Sequence, residues 1–133
     1  MKYVIDTHAL VWFLEGNTRL GNKAKIVLAD SKSQLILPAI ALAEAVWIVE
    51  RARTSIPSVT DLLNAINSDP RIVVYPADKG VIEQSISLSA ITEMHDRLIV
   101  ATAIVLANKG DEIALLTCDR NITASGLLTL VWE

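Results

Sequence analysis

A single cysteine, Cys118, and two histidines leave the 133-residue chain without the means for an internal disulfide framework or a clustered nitrogen and sulfur ligand set for zinc. Glycine and proline are sparse, at five and four residues, and they punctuate short connections. There is no internal repeat, low-complexity tract or linker, so one domain spanning 1–133 is expected. Long apolar runs are missing as well: the charge-free stretches, Leu98 to Asn108 among them, fall well short of the roughly 20 residues needed to cross a bilayer. Asp6, His8 and Glu15 interrupt the first apolar segment, where a secretory leader needs continuity. A cytoplasmic protein with no membrane association follows. Basic residues are outnumbered, 12 Lys and Arg against 15 Asp and Glu for a net charge of −3, which excludes a broad basic face that coats nucleic acid. An enzyme acting on one phosphodiester stays open, because a metal cluster supplies positive charge that a residue count misses.

Apolar residues are abundant, at 52% of the chain with a mean hydropathy of +0.42. That is high for a small monomer and points to a face covered by another chain. Compact apolar runs at 2–5, 34–37, 72–75, 113–117 and 128–131 read as strands. Helical patterns occupy 9–15, 23–29, 39–53, 59–67, 79–92, 97–109 and, briefly, 120–124. Strands that are apolar on both faces and alternate with helices predict a parallel sheet covered on both sides, a three-layer α/β/α domain.

Four acidic residues stand where charge is normally avoided. Asp6 closes the run Tyr3-Val4-Ile5, Asp119 follows Ile113 to Cys118, and Asp96 opens the stretch that begins at Leu98. Glu44 is the only charged residue from Leu35 to Val49, and its helical neighbours Ile40, Ala41, Trp47 and Ile48 offer it no cation. Asp6, Asp96 and Asp119 can each be explained singly as helix N-caps, but a mid-helix Glu44 caps nothing, and burial is expected for it. Carboxylates brought together without cations raise one another's pKa and oppose folding unless a metal neutralises them. Mg²⁺ or Mn²⁺ suits an all-oxygen donor set, and a metal so held suits phosphodiester hydrolysis. In open sheets ligands bind at the carboxyl ends of strands, where Asp6 and Asp119 stand.

Thr7 and Thr117 adjoin these acids and are candidates to hydrogen-bond a carboxylate, with ordinary strand-end polarity as the alternative. Asn121 and Ser125 are weaker candidates of the same kind. Arg97 and Arg120 each follow a candidate ligand and could steady a substrate phosphate. His8 and His95 flank Asp6 and Asp96, yet packing accounts for them better than proton transfer. Trp12, Phe13 and Trp47 read as core or interface residues rather than base-stacking platforms. Cys118 reads as a buried strand residue without a chemical role.

The segments Tyr3 to Trp12, Glu44, His95 to Ala103 and Leu116 to Asp119 resemble, in that order, the motifs of the PIN-domain family, and within it the VapC-type toxins. The resemblance covers essentially the whole chain. It implies a five-stranded parallel sheet, Mg²⁺ or Mn²⁺ bound among Asp6, Glu44, Asp96 and Asp119, and ribonuclease activity directed at single strands. It also implies a cognate antitoxin and a homodimer. Many relatives insert a Pro-Phe pair between the histidine and aspartate of the third motif, whereas His95 abuts Asp96 here. Some carry a further acid after the fourth motif, where Asn121 and Ser125 stand in this chain.

Other readings fit less well. A haloacid dehalogenase-type phosphatase needs a second aspartate where His8 stands, and a receiver domain needs an acidic pair after the first strand and a lysine after the fifth. A non-catalytic partner-binding module with the same fold is the rival from another class. Retention of all four acids argues against it, since the cluster costs stability when no metal is bound.

Overall fold

The computed structural model describes residues 1–125 and 128–133. Five strands, β1 Lys2–Ile5, β2 Gln34–Pro38, β3 Ile72–Tyr75, β4 Ile113–Leu116 and β5 Thr129–Val131, form one sheet in the order β3-β2-β1-β4-β5. Every pairing is parallel, and Ile5 lies opposite Leu116. Helices α1 Thr7–Glu15, α2 Asn22–Ala29, α3 Ala39–Glu50, α4 Val59–Asn67, α5 Lys79–Ser85, α6 Met94–Asn108 and α7 Arg120–Ser125 make the connections. The five-stranded parallel α/β/α architecture is the expected one.

Burial on both faces explains the central strands. Val4, Ile5 and all four residues of β4 are buried, and β-branched and aliphatic side chains suit such a pleated interior. The longest helix, α6, packs against β1, β2, β4, α3 and α5, burying Ile99 to Ala103 and Leu106. The chain leaves β1 in one direction toward β2 and later adds β4 on the other side of β1. The β1/β4 boundary is therefore the topological switch point, where the carboxyl ends of neighbouring strands open a crevice.

Several boundaries differ from the sequence-based expectation. The helix expected over 39–53 stops at Glu50, because Ala52 takes a left-handed conformation (φ 53°) and the Arg53 N–H closes back on the Ile48 carbonyl. The helix expected over 79–92 stops at Ser85. There the hydroxyls of Ser85 and Ser87 bond the carbonyls of Ile82 and Gln84, and serine competes with helix continuation in this way. α6 begins at Met94 rather than Arg97, capped by Glu93. Cys118 lies beyond the end of β4 and is exposed, not buried. The side chains of Asn121 and Ser125 lie outside the described residues.

Candidate active site

Asp6, Glu44, Asp96 and Asp119 come from four different segments and line one cleft at the β1/β4 switch point. Asp6 ends β1 and caps α1: its backbone stays extended, and its Oδ1 accepts from the Thr7 N–H at 2.6 Å. Asp119 stands just past β4, and its Oδ1 accepts from the Ile122 N–H at 3.1 Å, the capping contact that was the alternative account of it. Asp96 is not a cap, because Glu93 occupies that position and Asp96 sits in the first turn of α6. Glu44 projects from the middle of α3 and is half-buried, its side chain 29% exposed, where burial was expected.

Two threonines tie these acids together. Thr7 donates its backbone N–H to Asp6 and its hydroxyl to Glu44 Oε1 at 3.0 Å, linking the end of β1 to α3. Thr117 donates its hydroxyl to Asp6 Oδ2 and accepts the Asp119 N–H at 3.0 Å, linking the end of β1 to the end of β4. Both threonines are buried, so each hydroxyl is held to these partners. The cleft thus rests on a continuous network running Glu44–Thr7–Asp6–Thr117–Asp119.

The electrostatics are those of crowded carboxylates. Burial pushes the Asp6 carboxyl above its ordinary value, opposed by the hydrogen bonds from Thr117 and Thr7. Asp96 is pushed from 3.8 up to about 7, first by desolvation, then by the charges of Asp119, Asp6, Glu93 and Glu44. Desolvation also raises the Cys118 thiol, with Asp6 and Asp119 adding to it, so this accessible sulfur stays a thiol rather than a nucleophilic thiolate.

The remaining candidates are distributed unevenly. His8 is exposed and lines the cleft beside Trp12, and so does His95, contrary to the packing role expected of them. His95 Nδ1 lies 2.6 Å from Glu93 Oε1 and 4.0 Å from Glu44 Oε2, so Glu44 does have a titratable neighbour, supplied by another helix. Arg97 is turned away: its Nε bonds the Ile91 carbonyl and its second terminal nitrogen the Ser89 carbonyl, and it does not line the cleft. Arg120 does not line it either.

Among the described residues, no three His, Cys, Asp or Glu side chains converge closely enough to ligate one ion directly. Mg²⁺ does not require that, since it retains several waters and is held through one or two carboxylates. An all-oxygen carboxylate set with one carboxyl driven up by desolvation and by its acidic neighbours fits a hard divalent cation of this kind.

The sequence over residues 3–125 matches the family model of the PIN domain. The chain belongs to the PIN-domain family. Among curated proteins no sequence match is found. Solved PIN-like structures match across nearly the whole chain at low identity. VapBC2 from Rickettsia felis bound to a promoter DNA fragment aligns with a TM-score of 0.71 at 18% identity, covering 100% of both chains. A toxin-antitoxin complex from Klebsiella pneumoniae gives 0.68 at 18% identity, covering 98% of this chain and 96% of that one. VapC20 from Mycobacterium tuberculosis, described as a sarcin-ricin loop cleaving toxin, gives 0.66 at 17% identity over 94% and 95%.

This PIN domain also brings to its cleft a residue absent from the sequence-based candidates. Glu93 lines it, caps α6 and adds to the charge raising Asp96. Its signal is the pair Glu93 and Asp96, an acid at a helix start followed three residues later by another before an apolar run.

Proposed function

We propose that this PIN domain is an endoribonuclease dependent on Mg²⁺ or Mn²⁺, acting as the toxin of a VapBC-type toxin-antitoxin pair in the cytoplasm. The observation that carries the reading is the convergence of Asp6, Glu44, Asp96 and Asp119 on one cleft, with Asp96 raised to about 7. Such a carboxyl is about half-ionised near neutrality, and a bound cation would shift it toward the anion. The likeness to VapBC2 and VapC20 supports the toxin assignment.

Asp6, Glu44, Asp96 and Asp119 would hold the ion, one or two of them directly and the others through its waters. When bound it supplies an acidified water and neutralises charge on the scissile phosphate. Thr7 fixes the Glu44 and Asp6 carboxylates and Thr117 fixes Asp6, so their rotamers are set before substrate arrives. Arg120 is a candidate for substrate phosphate, whereas Arg97 spends its Nε and a terminal nitrogen on backbone carbonyls.

The chain is taken as one domain over 1–133. A cognate antitoxin is its regulatory partner, and a second copy of the chain is expected along edge strand β3. Val73 and Val74 there are 55% and 41% exposed.

The test is incubation of the purified chain with defined single-stranded and duplex RNAs in Mg²⁺, Mn²⁺ or EDTA. Cleavage of single strands in either metal and none in EDTA is expected. Undiminished cleavage in EDTA contradicts the metal role, and a metal-loaded chain that cleaves nothing yet binds a protein partner is a partner-binding module instead.

A further inference from the structure

A second cavity, of about 810 Å³, opens between α1 and α3 and merges with the acidic cleft, sharing His8, Trp12, Glu44 and His95 with it. Its unshared wall carries Trp47, Arg19 and Arg53. Trp47 is 46% exposed, which sets it apart from Trp12 and Phe13, both packed against the core. The Arg51 guanidinium lies 3.8 Å from the Trp47 ring centre and that of Arg53 5.6 Å, while Arg19 lies 5.7 Å from Trp12. Among the described residues none of these three arginines makes an ion pair, whereas Arg71 is spent on Asp69 and two backbone carbonyls. Guanidinium stacked on an aromatic face keeps its in-plane N–H donors available, which suits it to phosphate.

The local backbone holds this arrangement at a cost. Ala52, between the two arginines, is in the left-handed region that disfavours any residue with a Cβ. The following loop is tied to α1 by Glu15, which accepts from the Thr54 hydroxyl at 2.6 Å and the Ser55 N–H at 2.9 Å. Asn17 bonds the same carboxylate at 3.2 Å. Glu15, the acid beside the arginines in the groove, is thus engaged in anchoring their loop, and those hydrogen bonds outweigh its desolvation to hold its pKa low.

We propose that the α1–α3 groove is the path of the RNA strand leading into the carboxylate centre, with Arg19 and Arg53 binding its phosphates and Trp47 positioning Arg53. The inference rests on the ribonuclease reading and deepens it. Arg19 and Arg53 stand in the groove that continues from the carboxylate centre, where Glu15, the acid beside them, is engaged by Asn17, Thr54 and Ser55. This explains how a chain of net charge −3 engages RNA without a basic face.

Fluorescence anisotropy of a 12-nucleotide oligouridine, with Ca²⁺ in place of Mg²⁺, measures the groove separately from cleavage. The double variant Arg19→Gln/Arg53→Gln is expected to bind roughly tenfold more weakly, with the slope of log Kd against log salt reduced by about 0.7 for each phosphate no longer neutralised. Its KM for cleaving the same oligomer in Mg²⁺ should rise with kcat little changed. Lys25→Gln/Lys32→Gln, altering exposed lysines outside the groove, should leave both unaltered. A double variant with wild-type Kd and salt slope overturns the proposal, as does one that keeps RNA affinity but loses a copurifying antitoxin. If wild type cleaves no RNA in any metal, it is the ribonuclease reading that fails, and oligouridine binding still reports on the groove.

Discussion

Replacing Asp96 by Asn should stabilise the metal-free protein near pH 8. The side chain sits in the first turn of α6, half-buried, with its folded pKa raised from 3.8 to about 7. A carboxyl whose folded value is raised favours folding only while protonated. Its contribution is therefore present below about 3.8 and is lost progressively as pH rises to about 7. At about 1.4 kcal/mol per pH unit, the interval from 3.8 to about 7 corresponds to about 4 kcal/mol. Solvent screening at this partly exposed position reduces that to about 2 kcal/mol. Asn is nearly isosteric and carries no charge, so urea unfolding in EDTA at pH 8 should show Asp96→Asn more stable by about 2 kcal/mol, a rise in Tm of roughly 4–8 °C. The advantage should shrink steadily toward pH 4. Saturating Mg²⁺ should stabilise wild type more than the variant and so narrow or reverse the difference. A variant less stable than wild type at pH 8 in EDTA, or an advantage that does not vary with pH, would refute the account of crowded carboxylates.

Other consequences concern single residues. Asp6→Asn in EDTA should be at least as stable as wild type, since Asn sheds a charge and keeps an acceptor for the Thr7 N–H, whereas Asp6→Ala loses the α1 cap at about 1 kcal/mol on the same denaturation curve. Ala52→Gly should raise the urea midpoint, by about 0.5–1 kcal/mol, because glycine accepts the left-handed conformation without strain. Gly21→Ala should cost about 1–3 kcal/mol by thermal unfolding, as a Cβ there would stand 2.1 Å from the Trp132 backbone oxygen.

The sheet was largely legible in the sequence because its strands are short apolar blocks, the central three largely buried, a pattern that does not depend on distant contacts. Helix ends were less so. The stop after Glu50 depends on Ala52, a residue that favours helix and carries no turn signal, and the start at Met94 depends on a Glu93 cap that looks like ordinary surface charge. The four acids were legible as anomalies of local hydropathy, and the threonines as their neighbours. What the sequence could not convey was direction. Arg97 follows Asp96 immediately, yet helical geometry sends it toward the carbonyls of Ser89 and Ile91, away from the cleft. Likewise Glu44 has no cationic neighbour along α3, while His95 approaches it from α6, a helix some fifty residues further on. The groove beside Trp47 arises from a turn and a Glu15 anchor about 40 residues apart in the chain, a contact no local pattern announces.

The most direct measurement of the central claim is single-turnover cleavage of a defined single-stranded RNA by wild type and Glu44→Gln across an Mg²⁺ titration, with circular dichroism establishing that both are folded. Glu44 belongs to no helix cap, so its carboxylate can be neutralised without removing a helix end. Mg²⁺-dependent cleavage by wild type is expected, with at least a hundredfold loss in Glu44→Gln and the fold intact (ΔΔG‡ of about 2.7 kcal/mol or more). Equal rates for the two folded proteins would contradict it.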